Sequence, residues 1–244
     1  MSEILFCGDT DLKAAAAYLA GVINLAKYKF NYLNSDTKFP EIKTAPKLLI
    51  LSDYPSKNIS KKNQKKIIEW VNEGMSLWMI GGWESYYGLN GEYKNDNSIM
   101  KILPVKVKNK DDRINSFHPY VLCPQFKHPI LKGLPWHQAP SVGGLNEVTL
   151  KNKGEILLTA QKLIIKNKAN KITSKTSKTV PMLVSGIHGK GKTLCLMTDL
   201  APHWVGGFVD WGNKRVQAKA PKANDVEVGN HYAKFIQQIL KWLI

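Results

Sequence analysis

The sequence predicts an α/β fold built around a mainly parallel sheet, and three observations predict it. Two apolar runs, residues 48–51 and 77–80, flank a helical pattern that starts near Ser60, and a strand–helix–strand crossover almost always leaves its two strands parallel. An earlier apolar run at 4–7 is followed by a second helical stretch and repeats the unit. Polar residues and glycines stand at the carboxyl ends of these runs, as Ser52-Asp53 and Gly81-Gly82, where open parallel sheets bind their ligands.

Taken in order, residues 4–7 form the first strand, and Gly8-Asp9-Thr10 turns the chain and caps a helix over about 12–25. Residues near 29–32 suit a second strand and 48–51 a third. The helix after Ser60 carries Ile67, Ile68 and Val71 on one face and lysines on the other, with Gly74 placed to end it. Beyond Ile80 comes a Gly/Tyr/Asn-rich loop at 81–97, a short apolar segment at 99–103 and a polar stretch at 106–113, the composition of binding loops. The second half is richer in strands, at 148–150, 156–159, 163–165, 181–185 and 193–198. Residues 166–178 hold five lysines and no acid and are expected to form an exposed hairpin loop. A last helix from about Gly229 presents Tyr232, Phe235, Ile236, Ile239, Leu240 and Leu243 as an apolar stripe for the core.

The 244 residues, 43% hydrophobic, suffice for one domain with a β-rich elaboration at about 145–200. The only apolar run near the start is four residues long, too short for a signal or a membrane span, so a cytoplasmic location is expected. Cys7, Cys123 and Cys195 are odd in number and far apart, which signals neither a disulfide framework nor zinc, and each is expected to be a small buried hydrophobe. The net charge of +16 invites a nucleic-acid or membrane reading. Only Arg113 and Arg215 are arginines among 35 basic residues, whereas bidentate reading of phosphate and guanine favours arginine. No specific nucleic-acid partner and no membrane partner are expected, only salt-sensitive adhesion to polyanions.

Gly186-Ile187-His188-Gly189-Lys190-Gly191-Lys192-Thr193 fits the G-x-x-x-x-G-K-T string of a phosphate loop. Such a loop needs a helix that begins at the lysine, and Leu194-Cys195-Leu196-Met197 instead reads as a buried strand. A glycine-rich turn between antiparallel strands is the favoured alternative. His118, His128 and His137 lie near prolines without the i, i+4 partner of a zinc helix, so no metal and no cofactor is expected.

Asp199-Leu200-Ala201-Pro202-His203-Trp204 follows the strand directly, and His203 there could be an acid, a base, a ligand or a hydrogen-bonded turn residue. Asp111-Asp112-Arg113 offers an anion site or a loop ion pair. Trp83, Tyr86, Tyr87, Trp136, Trp204 and Trp211 fall in loop regions, as stacking platforms or packed anchors.

In order, Leu51-Ser52-Asp53-Tyr54-Pro55, Trp70-Val71-Asn72-Glu73-Gly74 leading to Met79-Ile80-Gly81-Gly82-Trp83-Glu84-Ser85, Leu103-Pro104-Val105 with Asp111-Asp112-Arg113, His128-Pro129-Ile130-Leu131 with Gly133-Leu134-Pro135, Gly144-Leu145-Asn146, and Thr198-Asp199 with Ala201-Pro202-His203-Trp204 resemble a family of bacterial proteins described as glutamine amidotransferases, within the class I amidotransferase-like superfamily. The resemblance implies a flavodoxin-like three-layer sandwich, and a homodimer as one assembly open to the chain. A working glutaminase of this superfamily places a cysteine at the G-x-C-x-G turn; here that turn reads Gly81-Gly82-Trp83-Glu84-Ser85 and has none. The expected function is therefore an amidotransferase-like domain without the usual nucleophile, binding a small molecule at the strand carboxyl ends or acting as a hydrolase of another type. The alternatives are a non-catalytic protein- or carbohydrate-interaction module and an amidotransferase with an unrecognised nucleophile. The catalytic candidates are Glu84, His203 and Ser85, and the ligand-binding candidates Asp53, Gly81, Gly82, Trp83, Asp112, Arg113, Asp199 and Trp204.

Overall fold

The computed structural model describes residues 3–168 and 171–244, without the side chains of His203 and Val205. The chain runs β1 (Ile4–Gly8), α1 (Ala16–Leu25), β2 (Phe30–Leu33), β3 (Leu48–Ser52), α2 (Lys61–Glu73), β4 (Ser76–Ile80), α3 (Ser98–Ile102), β5 (Val105–Val107), β6 (Arg113–Pro124), β7 (Ser141–Asn146) and β8 (Val148–Leu150). It continues through β9 (Glu155–Lys168), β10 (Lys171–Thr176), β11 (Val180–His188), β12 (Gly191–Leu196), α4 (Pro202–Val205), β13 (Arg215–Ala218), β14 (Val226–Gly229) and α5 (Asn230–Leu243).

The fold is α/β, and its central sheet is mixed. Strands β2-β1-β3-β4-β12 are mutually parallel, and β11, β9, β6 and β7 extend the sheet antiparallel, with β10 paired to β9. Every residue of β1, β3 and β4 is buried, the pattern of strands covered on both faces, which is why they read as unbroken apolar runs. The chain steps from β1 outward to β2, then returns to β3 on the other side of β1, so the strand order reverses between β1 and β3. Open α/β sheets bind ligands at such a switch point.

Local chemistry explains the helices that support this sheet. Ser60 Oγ accepts the Asn63 N–H at 3.2 Å to start α2, Gly74 at φ +130° stops it, and Ile67, Trp70 and Val71 face the core. The apolar stripe expected on α5 is buried in full.

Three boundaries differ from the sequence reading. Helix α1 starts at Ala16 rather than near Leu12, because Asp9 and Thr10 both take positive φ and residues 12–15 form turns before the helix can close. The expected strands at 156–159 and 163–165 are one strand, β9. Residues 166–178 are not a loop: most lie in the paired ends of β9 and β10, from Lys171↔Lys168 to Thr176↔Leu163, while Ala169 and Asn170 lie outside the described residues. This hairpin outruns the core, so its lysines alternate along a ladder that water covers on both sides.

Gly189 and Lys190 form a two-residue turn, with His188 paired to Gly191 across an antiparallel hairpin. Lys192 Nζ donates to the Trp242 carbonyl at 2.5 Å, on the α5 side. The phosphate-loop string is thus a hairpin, and its signature lysine is held by backbone.

Candidate functional site

Gly8, Ser52, Ile80 and Leu196 stand in one register row across β1, β3, β4 and β12. The residues that follow therefore emerge side by side at the carboxyl edge. Of these four strands, β1 and β3 are followed at once by aspartate, Asp9 and Asp53, β4 by Gly81-Gly82, and β12 by Met197-Thr198-Asp199.

Asp9 is buried at the switch point. Its backbone N–H donates to the Ser52 carbonyl at 2.7 Å and its Oδ1 accepts from Ser52 Oγ at 2.9 Å. A Cβ at Gly8 would lie 1.5 Å from the Ser52 carbonyl oxygen, so only glycine lets the ends of β1 and β3 meet this closely. Asp53 is partly exposed and sits at φ +46°, a left-handed conformation that short polar residues tolerate best. Its N–H donates to Ser85 Oγ at 3.0 Å, and its carbonyl accepts from Ser35 Oγ at 2.7 Å. Its Oδ1 accepts the Glu84 N–H at 2.8 Å, and the Trp83 N–H also donates to the carboxyl. A Cβ at Gly82 would come within 2.0 Å of Asp53 Oδ1; the glycine is what allows the loop's amides to cradle this carboxyl. Asp199 Oδ1 accepts the N–H groups of Leu200 and Ala201, which turns the chain into α4.

These three acids share one buried region, and the electrostatics follow from crowding. Burial pushes the Asp9 carboxyl well above the usual range, and the neighbouring Asp199 and Asp53 raise it further. Burial first, then Asp199, pushes Asp53 up to about 7, against the lowering effect of the Glu84 and Trp83 amides. Glu84 is also raised, mainly by burial. Carboxyls raised in this way suit a general acid or base working near neutral pH.

Asp112 does something else. Its carboxylate accepts the N–H groups of Tyr87 and Gly88, each at 3.0 Å, and the Asn146 side-chain amide at 2.9 Å. Asn146 in turn brackets Gly82, accepting its N–H at 2.9 Å and donating to its carbonyl at 3.1 Å. Asp112 and Asn146 together fix the loop that carries Gly82, Trp83 and Glu84. Arg113 is engaged in a two-bond ion pair with Asp111, at 2.8 and 2.9 Å, and lies 4.5 Å from the centre of the half-exposed Trp83 ring.

The structure brings Asp53, Gly81, Gly82, Trp83, Glu84 and Ser85 into one contiguous edge with Asp9, and ties Asp112 to it through Asn146. Ser85 is buried, its hydroxyl oxygen taken by the Asp53 N–H. Trp204 is buried against Gly144, where a Cβ would overlap its indole at 1.8 Å, and its Nε1 donates to Asn115 Oδ1 at 2.5 Å. His203 belongs to the backbone of α4, and its side chain lies outside the described residues. Sequence reasoning missed Asp9, Ser52 and the clamp made by Asn146. A signal existed for Asp9: it repeats the pattern of an apolar run, a small residue and then aspartate seen in Ser52-Asp53 and Thr198-Asp199.

The cysteines stand apart from this edge chemistry. Cys7 and Cys195 are buried, and burial raises both thiols, Cys195 to about 12. Cys123 is partly exposed rather than buried as expected, because it lies on β6 near the end of its pairing with β9, and its thiol is also raised by burial. A thiol held protonated is a poor nucleophile. Among the described residues no three His, Cys, Asp or Glu side chains converge as a metal site. No helix among them is long and apolar enough to cross a membrane.

Residues 14–218 match the family described as "Putative glutamine amidotransferase" (GATase1_like). Among curated proteins none matches the sequence. Among solved structures, cytoplasmic protein STM3548 from Salmonella typhimurium superposes with a TM-score of 0.75 at 20% identity over 99% of this chain and 98% of that one. Cytoplasmic protein STM1381 from Salmonella typhimurium LT2 gives 0.74 at 21% identity over 98% of both. A β-galactosidase from Bacillus circulans gives 0.54 at 10% identity, over 99% of this chain but 30% of the enzyme. At these identities the likeness speaks to the fold.

Proposed function

The chain belongs to the family described as "Putative glutamine amidotransferase", and from that premise we propose that it keeps the ligand cleft of an amidotransferase-like domain while lacking glutaminase chemistry. The observation that carries this reading is Asp53, a carboxyl cradled by the Glu84 and Trp83 amides at the switch-point edge and pushed up to about 7. A carboxyl of that strength can give or take a proton at neutral pH. Burial and then the neighbouring Asp199 hold it there, and Glu84 and His203 are the next candidates for proton transfer. The ligand is a small polar molecule, neutral or cationic, since an anion would raise the cost of every ionised carboxylate in this crowded acidic edge.

Two finer structural readings belong to the same proposal. One is a flavodoxin-like three-layer sandwich: the chain steps in opposite directions from β1 to β2 and from β3 to β4, so right-handed crossovers would put α1 and α2 on opposite faces. The other is a single domain of 244 residues located in the cytoplasm, in keeping with the two Salmonella proteins of matching length.

A second reading has one observation in its favour. The β-galactosidase is matched over 30% of its length, so this fold also occurs as one part of a larger carbohydrate-active protein. With Trp83 48% exposed as a stacking surface, a non-catalytic carbohydrate-binding role is the alternative.

Thermal denaturation against glutamine, other amino acids, amines and sugars, for the natural protein and Asp53→Asn, tests the proposal. A salt-insensitive rise in midpoint with one neutral or cationic class, weakened in Asp53→Asn, is expected. Glutamine turnover abolished by Cys123→Ser would overturn it, and a sugar-only shift that survives Asp53→Asn would favour the second reading.

A further inference from the structure

The opposite end of the sheet carries a cavity that the proposed function does not use. It has a volume of about 450 Å³, within the roughly 300–1,000 Å³ of small-molecule sites. It lies between the end of α3, the β5–β8 pair and the β11–β12 hairpin. Lys101, Lys106, Lys151, Lys153, His188 and Thr193 contribute to its lining, and no aspartate or glutamate does. Among the described residues Lys101, Lys106 and Lys153 have no ion-pair partner, and Lys151 Nζ is spent on the carbonyls of Met100 and Leu103, at 2.5 and 2.8 Å.

Two features set this apart from a lysine-rich surface. Thr193 is fully buried, and among the described residues its Oγ1 has no hydrogen-bond partner, which burial makes costly unless a ligand group supplies one. Gly186 stands across the hairpin from it, and a Cβ there would come within 3.0 Å of Thr193 Oγ1 and 2.8 Å of Pro104, so any larger residue would crowd the hydroxyl. Burial first, and in smaller part the nearby Lys106, lower the Lys151 ammonium.

We infer that this cavity is a binding site for a small phosphate-bearing anion, with Lys101, Lys106 and Lys153 as the charged wall and the Thr193 hydroxyl as the donor at its floor. Lysine serves phosphate as a point charge and needs no arginine fork. Gly186 and Thr193 are the first and last residues of the phosphate-loop string, yet the mode differs: the string forms a hairpin wall, Lys192 faces α5, and no helix follows.

The test is calorimetric titration with sodium phosphate and with pyrophosphate, at low and physiological salt. The variants are Thr193→Val, the triple Lys101→Ala/Lys106→Ala/Lys153→Ala, and a control triple Lys61→Ala/Lys65→Ala/Lys214→Ala of equal charge loss. Saturable binding that persists at physiological salt is expected. It should weaken about tenfold or more in the cavity triple and several-fold in Thr193→Val, with the control unchanged. Thr193→Val should leave the melting midpoint level or higher, since it removes an unsatisfied hydroxyl, so lost affinity cannot be laid to misfolding. Equal weakening by the two triples, or binding that vanishes at physiological salt, would reduce the effect to general charge and overturn the inference.

Discussion

Asp53 is the residue on which the site's chemistry turns, and its ionisation has a measurable sign. A carboxyl near 3.9 in the unfolded chain and about 7 in the native protein means that the native state binds more protons between those values. Stability from this group is therefore full below about pH 4 and is lost as pH rises through 7. Asp53→Asn keeps an oxygen for the Glu84 amide and removes the charge. Chemical denaturation across pH should show the variant equal to the natural protein near pH 4 and more stable by about 2 kcal/mol above pH 7, a figure reduced for the group's partial exposure. A difference that does not change with pH would mean Asp53 titrates normally. Asp53 and Asp199 were legible in the sequence because each follows the small or polar end of an apolar run. Asp9 was hidden by its second meaning, since Gly8-Asp9-Thr10 also reads as a turn that caps a helix. The pinning of Ser85, Gly82 and Asn146 was not legible, because it depends on contacts across 32 and 64 residues of chain.

At the scale of elements, the parallel strands were legible and the antiparallel ones less so, for one physical reason. Strands β1, β3 and β4 are buried on both faces and show it as continuous apolar sequence, whereas β9 starts in the core and ends in water, so its second half looks like loop. The irregular segment after β4 has no ladder of its own and leans on Asp112, which accepts two of its backbone N–H groups and the Asn146 amide. Asp112→Ala leaves three donors without their acceptor in a buried place and should destabilise the protein by about 3 kcal/mol. The loop effect is separable from global loss: limited proteolysis under native conditions should cut within residues 83–97 in the variant before it cuts elsewhere. Cleavage first in the β9–β10 hairpin, as expected for the natural protein, would show that Asp112 does not hold this loop.

At the scale of the whole molecule, the buried region at the carboxyl edge of the parallel strands holds Asp9, Asp53 and Asp199, while lysines line the cavity at the amino edge and the projecting hairpin. With a net charge of +16, the native state repels itself, and the repulsion is relieved when the chain expands. Low salt should therefore lower the melting midpoint and moderate salt restore it. The hairpin is the place to ask how much of this is local: Lys166, Lys171 and Lys175 are exposed, and no acid is interspersed in the segment. Lys166→Gln/Lys171→Gln/Lys175→Gln removes three like charges without touching the core. Its midpoint at low salt should rise by about 2 °C, and its retention on heparin should fall, while at moderate salt both differences fade. The exposed apolar residues Ile165 and Ile172 on the same hairpin supply the opposing outcome, since a surface used to grip a partner chain by its apolar face would hold its partner at moderate salt and leave retention unchanged by the three substitutions.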